Sequence, residues 1–259
     1  MEAVRRTDKR HYWYVIRELT KREIKRRYAR SYLGIVWSVL QPILMMAIIS
    51  FVFTTLFNRS IENYPVYLLT GQIVWSLFSG ATTSALTCIV DNKAMLFRTT
   101  YPKEIFIISR CLTALVNFGF VFIAYVPLSM ALGIRFKPTA LLWLVAIACI
   151  MIFSLGIGYI VATLYVYFAD VKYLYNVFLR LLFWLTPIFY SADNMPAVVQ
   201  QVIYTNPVWA YISFGRICTI DGVVPDTELW IKIILWAVAV YALGYLVFKR
   251  KESELAAHL

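Results

Sequence analysis

The chain has 259 residues, of which 61% are apolar and only 15% are charged, and its formal net charge is +11. Soluble domains are about half apolar and about a quarter charged, so this composition excludes a disordered chain and argues against a soluble enzyme. The basic charge does not indicate nucleic-acid binding, because the Lys and Arg residues lie between long apolar stretches. The composition indicates an all-α polytopic membrane protein.

The first segment, residues 1–32, is rich in basic and aromatic side chains and lacks the apolar stretch of a signal peptide. No Gly or Pro interrupts residues 11–32, which predicts a helix. Its apolar stripe comprises Tyr12, Val15, Ile16 and Leu19. We expect this helix to lie in the membrane interface; the alternative is a simple stop-transfer cluster. The residues that fit an interface helix are Trp13, Lys25, Arg27 and Tyr28.

Apolar stretches of about 20 residues can cross ~30 Å of hydrocarbon as helices. We predict spans at residues 33–57, 64–90, 111–134, 138–169, 171–190 and 228–248.

The apolar stretch 193–219 lies between the last two predicted spans and is broken by Pro196 and by Asn206-Pro207. Asn206 followed by Pro207 is typical of a helix N-cap and first helical position. We expect two short re-entrant helices that line a cavity. The alternative is a peripheral outer loop with amphipathic helices.

Positive charge predicts the orientation. Most of the 25 Lys and Arg residues fall in the terminal segments and in the loops on the same side of the predicted spans. The other side carries Arg59, Arg135, Lys137, Arg216 and Lys232. The positive-inside rule therefore predicts that both termini face the cytoplasm, and topology alone accounts for the net charge.

The cytoplasmic connector, residues 91–110, joins the second and third predicted spans. Asp91 or Asn92 is expected to cap a short helix, and Pro102 to start the next helical stretch. An apolar patch on a polar connector favours docking to a protein partner. The alternative is that the patch folds back onto the membrane. Its members are Met95, Leu96, Phe97 and Tyr101.

Several kinds of chemistry are missing from the sequence. No glycine is followed by lysine, so there is no phosphate-binding P-loop, and the two histidines stand at opposite ends of the chain. We expect no enzyme activity, no metal site and no bound cofactor, so that energy for uphill transport comes from a partner. A membrane-embedded glycosyltransferase and a passive channel are the alternatives of other classes. The cysteines, read as apolar fillers without disulfides, are Cys88, Cys111, Cys149 and Cys218.

Arg180 is the one charged residue deep in a predicted span, about nine residues or ~14 Å from the cytoplasmic end. Such an arginine faces a cavity, where it can bind a phosphate, or else it forms an ion pair or snorkels to the headgroups. Aromatic residues of the first and fifth spans offer faces along which sugars can slide, although packing and interfacial belts explain many such residues. The candidate substrate path comprises Trp37, Phe51, Arg180, Phe183, Trp184, Phe189 and Tyr190.

Four sequence patterns occur in a familiar order. The first runs from the N-terminal helix into the first span, at Lys25, Arg27, Tyr28, Ser31, Leu33, Gly34, Trp37 and Pro42. The second is Pro102-Lys103-Glu104 in the connector. The third comprises Phe168, Asp170, Thr186, Pro187, Ile188 and Tyr190, and the fourth is Asn206-Pro207. Over essentially its whole length, the chain resembles the membrane subunit of type II ABC exporters that move O-antigen, capsule or teichoic-acid chains.

The resemblance implies a homodimer in the bacterial inner membrane, bound to two copies of a separate ABC ATPase that holds ATP and Mg. It implies that the two short helices are gate helices and that the substrate is a polyprenyl-pyrophosphate-linked glycan. An exporter of small lipids or drugs with the same architecture is the nearest alternative. The residues expected to couple to the ATPase are Met95, Leu96, Phe97, Arg98, Tyr101, Pro102 and Glu104.

Overall fold

The computed structural model describes residues 9–29, 32–56, 61, 63–97, 101–255 and 258. Within these residues every regular element is helical, which confirms the predicted all-α class. The α-helices are α1 Lys9–Tyr28, α2 Val36–Leu56, α3 Tyr64–Leu86, α4 Cys88–Asp91, α5 Lys93–Leu96, α6 Glu104–Ala131, α7 Trp143–Tyr167, α8 Val171–Leu185, α9 Ala197–Thr205, α10 Pro207–Arg216 and α11 Thr227–Lys251. Shorter turns of other helix types are Pro138–Leu142, Ala192–Asn194 and Ile217–Asp221.

Four stretches of the described chain are long and apolar enough to cross a membrane: Val36–Phe53, Glu104–Ala131, Pro138–Tyr167 and Thr227–Lys251. These helices agree with the polytopic membrane class. Helix α3 has 23 residues but carries more polar side chains, and α8 has only 15 residues. Because α8 alone is only about 22 Å long, shorter than the ~30 Å hydrocarbon core, the count of six spans stays a prediction.

The helix bounds differ from the predicted spans at two places. Helix α3 ends at Leu86, where a turn at Thr87 separates it from α4, so the predicted stretch 64–90 is not one continuous helix. Helix α6 begins at Glu104, seven residues before the predicted third span. Part of the connector is thus the first two turns of a long helix, so a displacement of the connector moves that helix with it.

The packed centre consists of α3 and α7, with α6 packed against α3 and α11 packed against α7. More than half of the side chains of α3 are buried, among them polar residues such as Thr70 and Thr82. Helices α7 and α11 approach so closely that a Cβ on Gly244 would lie 2.1 Å from the carbonyl oxygen of Gly156. Only glycine permits this distance, as in other tightly packed membrane helices.

Helices α2 and α8 lie at the periphery and expose large apolar faces. In α8 only Tyr175 and Leu179 are buried, whereas Tyr173 is 70% and Trp184 is 68% exposed. Phe51 of α2 is 68% exposed. Apolar faces of this size are covered in the assembled protein by lipid or by another subunit.

The N-terminal helix α1 packs on α6. Ile16 and Leu19 of the predicted apolar stripe are buried, and so are the polar side chains of Thr20 and Glu23 beside them. The stripe is therefore used for packing against protein. The exposed side of the helix retains Trp13, which is 61% exposed, and the interfacial position of α1 stays a prediction.

Candidate functional site

The described part of the connector, residues 91–97 and 101–110, begins where the single-turn helix α4 ends and contains the single-turn helix α5. Met95, Leu96 and Tyr101 are half-buried and pack against the apolar core, whereas the Phe97 side chain is 62% exposed. Of the four residues in the predicted docking patch, Phe97 is therefore the one whose side chain is exposed.

The remaining coupling candidates lie at the end of the connector. Pro102 and Glu104 are half-buried at the beginning of α6. Arg98 lies outside the described residues, as do Ser31 of the first sequence pattern and Arg59 of the charge count.

The connector is held by a network of ion pairs centred on Arg110. The guanidinium of Arg110 lies 2.6 Å from a carboxylate oxygen of Glu23 in α1 and 3.2 Å from one of Asp91 in α4. The side chains of Arg110 and Glu23 are largely shielded from solvent, which strengthens their attraction compared with an exposed pair. The network therefore ties α1, α4 and α6 into one unit.

Asn92 has a different role from the predicted helix cap. It stands before α5, but its side chain makes no cap hydrogen bond there. Instead its amide donates to the carbonyl of Cys88 at 2.7 Å, and its oxygen accepts from Arg22 of α1 at 2.6 Å. Because both ends of the amide are occupied, Asn92 pins the connector to α1.

Two further contacts attach the start of α6 to its neighbours. The Tyr12 hydroxyl of α1 donates to Glu104 at 3.2 Å, and burial together with this carboxylate raises the pKa of the Tyr12 phenol, which keeps the proton on the donor. Lys103 donates from its backbone N–H to the Glu252 carboxylate at 3.3 Å. Burial lowers the pKa of the Lys103 amine, and Glu252 opposes this shift. The connector thus contacts the ends of α1, α6 and α11.

The interface-helix candidates separate into two groups. Trp13, Lys25 and Arg27 are exposed, whereas the Tyr28 hydroxyl donates to Asn117 of α6 at 2.9 Å. Arg27 and Tyr28 also line a cavity of about 210 Å³ between α1, α2, α3 and α6.

A second, more open cavity of about 470 Å³ lies between α3 and α8, and we call it the cleft. The cleft brings together three of the predicted path residues with residues of α3 that the sequence reasoning missed. Its lining comprises Trp75, Ser79, Asn176, Leu179, Arg180, Phe183 and Trp184.

The other predicted path residues lie elsewhere. Trp37 and Phe51 are exposed on α2. Phe189 is buried and packs on Phe183 at a ring-centroid distance of 5.0 Å, so it supports the cleft from behind. Tyr190 is half-buried and donates from its hydroxyl to the carbonyl of Trp184 at 2.9 Å. The predicted path is therefore not one continuous lining within a single chain.

A third feature, which we call the outer clamp after its predicted side of the membrane, centres on Arg216 at the end of α10. Its guanidinium donates to the carbonyl oxygens of Tyr67, Pro187 and Ile188 at 3.2, 2.9 and 3.0 Å. The same guanidinium lies 3.4 Å from the centre of the Tyr67 ring. We define the outer clamp as Arg216, Asn206, Tyr64 and Tyr67 with the turn 186–190 that they hold.

The other members of the outer clamp secure the same turn. The Tyr64 and Tyr67 hydroxyls donate to the carbonyls of Phe189 and Tyr190, each at 2.9 Å. Asn206 accepts from the Val208 N–H at 2.9 Å, which confirms the predicted N-cap. Its amide also donates to the Thr186 hydroxyl at 2.8 Å. The backbone turn after α8 thereby gains the partners that broken helices require inside a membrane protein.

The comparisons with known proteins agree with the predicted family resemblance. A family described as "ABC-2 type transporter" matches residues 14–218. An O-antigen export system permease protein of Klebsiella pneumoniae is 29% identical over 79% of this chain and 80% of its own length. A protein of the same description from Myxococcus xanthus is 26% identical over 92% of both chains. A polysialic acid transport protein of Escherichia coli is 22% identical over 93% of this chain and 94% of its own. With a family match over most of its length, the chain belongs to the ABC-2 type transporter family of membrane proteins.

Proposed function

We propose that the chain is the transmembrane subunit of an ATP-driven exporter that moves lipid-linked polysaccharide across the bacterial cytoplasmic membrane. ATP is hydrolysed by a separate ABC ATPase, and two copies of each subunit form the transporter. The observation that carries this proposal is the near full-length similarity to a polysialic acid transport protein and to O-antigen export permeases. These relatives differ in their named cargo but share the export of polysaccharide.

In this proposal both termini are cytoplasmic and the chain crosses the membrane six times. Helix α3 crosses inside the protein, where its polar side chains are shielded from lipid, and α8 is extended across by the turn 186–190. Helices α9 and α10, of nine and ten residues, are too short to cross and act as re-entrant gate helices. The outer clamp then lies near the outer face.

The coupling step follows from the contacts of the connector. Phe97 is exposed on a segment that is tied by ion pairs to α1 and α6. An ATPase that binds Phe97 and moves on ATP binding therefore displaces α1 and α6 together with the connector. The exposed apolar faces of α2 and α8 supply the walls of a channel between two copies, and their aromatic rings allow a glycan to slide.

The first experiment measures ATP hydrolysis by the chain in lipid, alone and co-expressed with the ATPase encoded beside it. We expect hydrolysis only for a stable complex with two copies of each subunit. The chain alone is expected to be inactive. Transport activity without any ATPase would contradict the proposal and favour a passive channel.

The docking role of Phe97 is tested with Phe97→Asp, because its side chain is exposed and is not part of the apolar core. We expect the recovery of ATPase in co-purification to fall about tenfold, since truncation of an aromatic anchor at an interface costs 1.4 kcal/mol or more by rough estimate. The matched control is Val224→Asp, because Val224 is also 62% exposed but lies in an outer loop of the proposed topology. Normal ATPase recovery with Phe97→Asp would exclude this docking role.

A further inference from the structure

The cleft has the composition of a sugar-binding subsite. The indole of Trp184 is 68% exposed, and the indole of Trp75 contacts the Phe183 ring at a centroid distance of 5.2 Å. Phe189 packs behind Phe183 and thereby fixes the orientation of these rings. Aromatic faces held in this way bind the apolar C–H surface of a sugar ring.

Two polar side chains stand one helical turn apart in the same cleft. Asn176 and Arg180 are separated by four residues on α8, so they project to the same side. In the part of the chain that the structure describes, neither has a hydrogen-bond or ion-pair partner. The five N–H donors of the arginine and the amide of the asparagine are therefore free for a ligand.

The described helices that pack around Arg180 supply no countercharge. Helix α8 packs against α3 and α7, and none of these three helices contains Asp or Glu. An unpaired arginine near the middle of a span cannot face hydrocarbon without a large cost, so the cleft opens to water or to a ligand. A site with a fixed cation and no acid favours an anionic ligand over a neutral one.

We propose that the cleft binds a sugar unit that carries a carboxylate, such as a uronic acid, and that the exported glycan is therefore acidic. Arg180 pairs with the carboxylate in the two-pronged geometry that guanidinium and carboxylate share. Asn176 binds ring hydroxyls, and the Ser79 oxygen, whose own proton is donated to the Trp75 carbonyl, accepts from another. The Trp184 indole stacks on the sugar. This inference rests on the proposed export of polysaccharide and specifies its cargo.

The test is a calorimetric titration of the full chain in lipid nanodiscs with two tetrasaccharides. One contains alternating glucose and glucuronic acid, and the other contains glucose alone. We expect the acidic tetrasaccharide to bind about tenfold more tightly, because a hydrogen bond to a charged group is among the stronger ones in proteins. Equal affinity for the two tetrasaccharides would overturn the inference.

Substitutions in the cleft test which side chains cause the preference for the acidic tetrasaccharide. Arg180→Gln should remove the preference for the acidic sugar, and Arg180→Lys should retain part of it, since lysine keeps the charge but not the planar fork. Trp184→Ala should weaken the binding of both tetrasaccharides. A preference that persists in Arg180→Gln would contradict the role of this residue.

An anion in the cargo has two possible sources, the sugar carboxylate and the pyrophosphate that links the glycan to its lipid. Inorganic pyrophosphate is therefore the third probe. Arg180-dependent binding of pyrophosphate without a preference for glucuronic acid would assign the site to the linker and overturn the acidic-sugar inference. Co-purification of the Arg180 variants with the ATPase tests the proposed export complex separately, because no residue that lines the cleft belongs to the connector.

Discussion

Two arginines lie near the end of α8 and the turn that follows it. One is buried with its donors occupied, and the other is exposed without a partner among the described residues. Arg216 is buried, and its guanidinium is occupied by three backbone carbonyls and the Tyr67 ring. Arg180 is exposed in the cleft without a partner among the described residues. The same side chain thus serves two purposes. Where its donors are occupied by the fold it stabilises the fold, and where they are free it is available to a ligand.

The comparison predicts that the largest loss of stability follows from Arg216→Met. This change removes the guanidinium donors from the carbonyls of Tyr67, Pro187 and Ile188 inside the protein, at a cost of about 3 kcal/mol or more. We expect the Tm in detergent to fall by about 6–12 °C. The Tm is measured with a thiol-reactive dye. All four cysteines are buried and free, so they react with the dye only when the protein unfolds.

The control for this change is Arg216→Lys, which keeps the charge but cannot reach all three carbonyls. The Tm of Arg216→Lys should lie between those of the wild type and Arg216→Met. A Tm for Arg216→Met equal to that of the wild type would show that the outer clamp does not depend on this guanidinium.

The second prediction tests whether the guanidinium of Arg216 is held rigidly. A Cβ on Gly71 would lie 2.7 Å from its Nη2 atom, so Gly71→Ala forces the arginine away from its carbonyl partners. We expect a loss of about 1–3 kcal/mol, as for other overpacked positions. Gly80 lies on the same helix, and a Cβ there meets nothing within 4 Å. Gly80→Ala should therefore be neutral or stabilising, because alanine favours helix.

Equal effects of the two alanine substitutions would mean that helix propensity alone determines the outcome. In that case Arg216 moves freely, and the outer clamp is looser than its hydrogen bonds indicate.

The sequence predicted Arg180 but not Arg216, and the reason is physical. Arg180 interrupts a periodic apolar span, where a charge is conspicuous. Arg216 lies in a stretch broken by prolines and was counted only as a charge of the outer side. Its position between Phe214-Gly215 and Ile217-Cys218 is the signal that could have identified it, since a cation among apolar residues needs buried partners. Its partners are distant carbonyls, which no local pattern reveals.

The same distinction applies to the fold. The all-helical class and the N-cap at Asn206 follow from local composition and spacing, and the structure confirms both. The contact of α1 with α6 includes ion pairs between distant residues, such as Arg110 with Glu23, which the sequence does not specify. The burial of α3 likewise follows from tertiary packing, because its polar composition alone resembles a weaker membrane span.

The third prediction concerns the cap that joins α10 to the turn 186–190. Asn206→Ala removes the acceptor for the Val208 N–H and the donor to Thr186, and we expect a loss of about 1 kcal/mol. Asn206→Asp keeps the cap but not the donor, so it should recover part of the loss. The same dye-based Tm measurement separates the two contributions, and an unchanged Tm for Asn206→Ala would contradict the cap's role.

The smallest effect on stability is expected for Arg180→Met. Since Arg180 is exposed and unpaired among the described residues, its replacement removes no hydrogen bond or ion pair there, and the free energy of unfolding should change by less than about 0.5 kcal/mol. The Tm should therefore shift by less than about 2 °C, far less than with Arg216→Met. Methionine has about the length of the arginine's apolar stem, which makes the two Met variants a matched pair. A Tm loss with Arg180→Met as large as that with Arg216→Met would mean that the donors of Arg180 are occupied within the assembled protein. The contrast between an arginine that stabilises the fold and one that is available to a ligand would then be wrong.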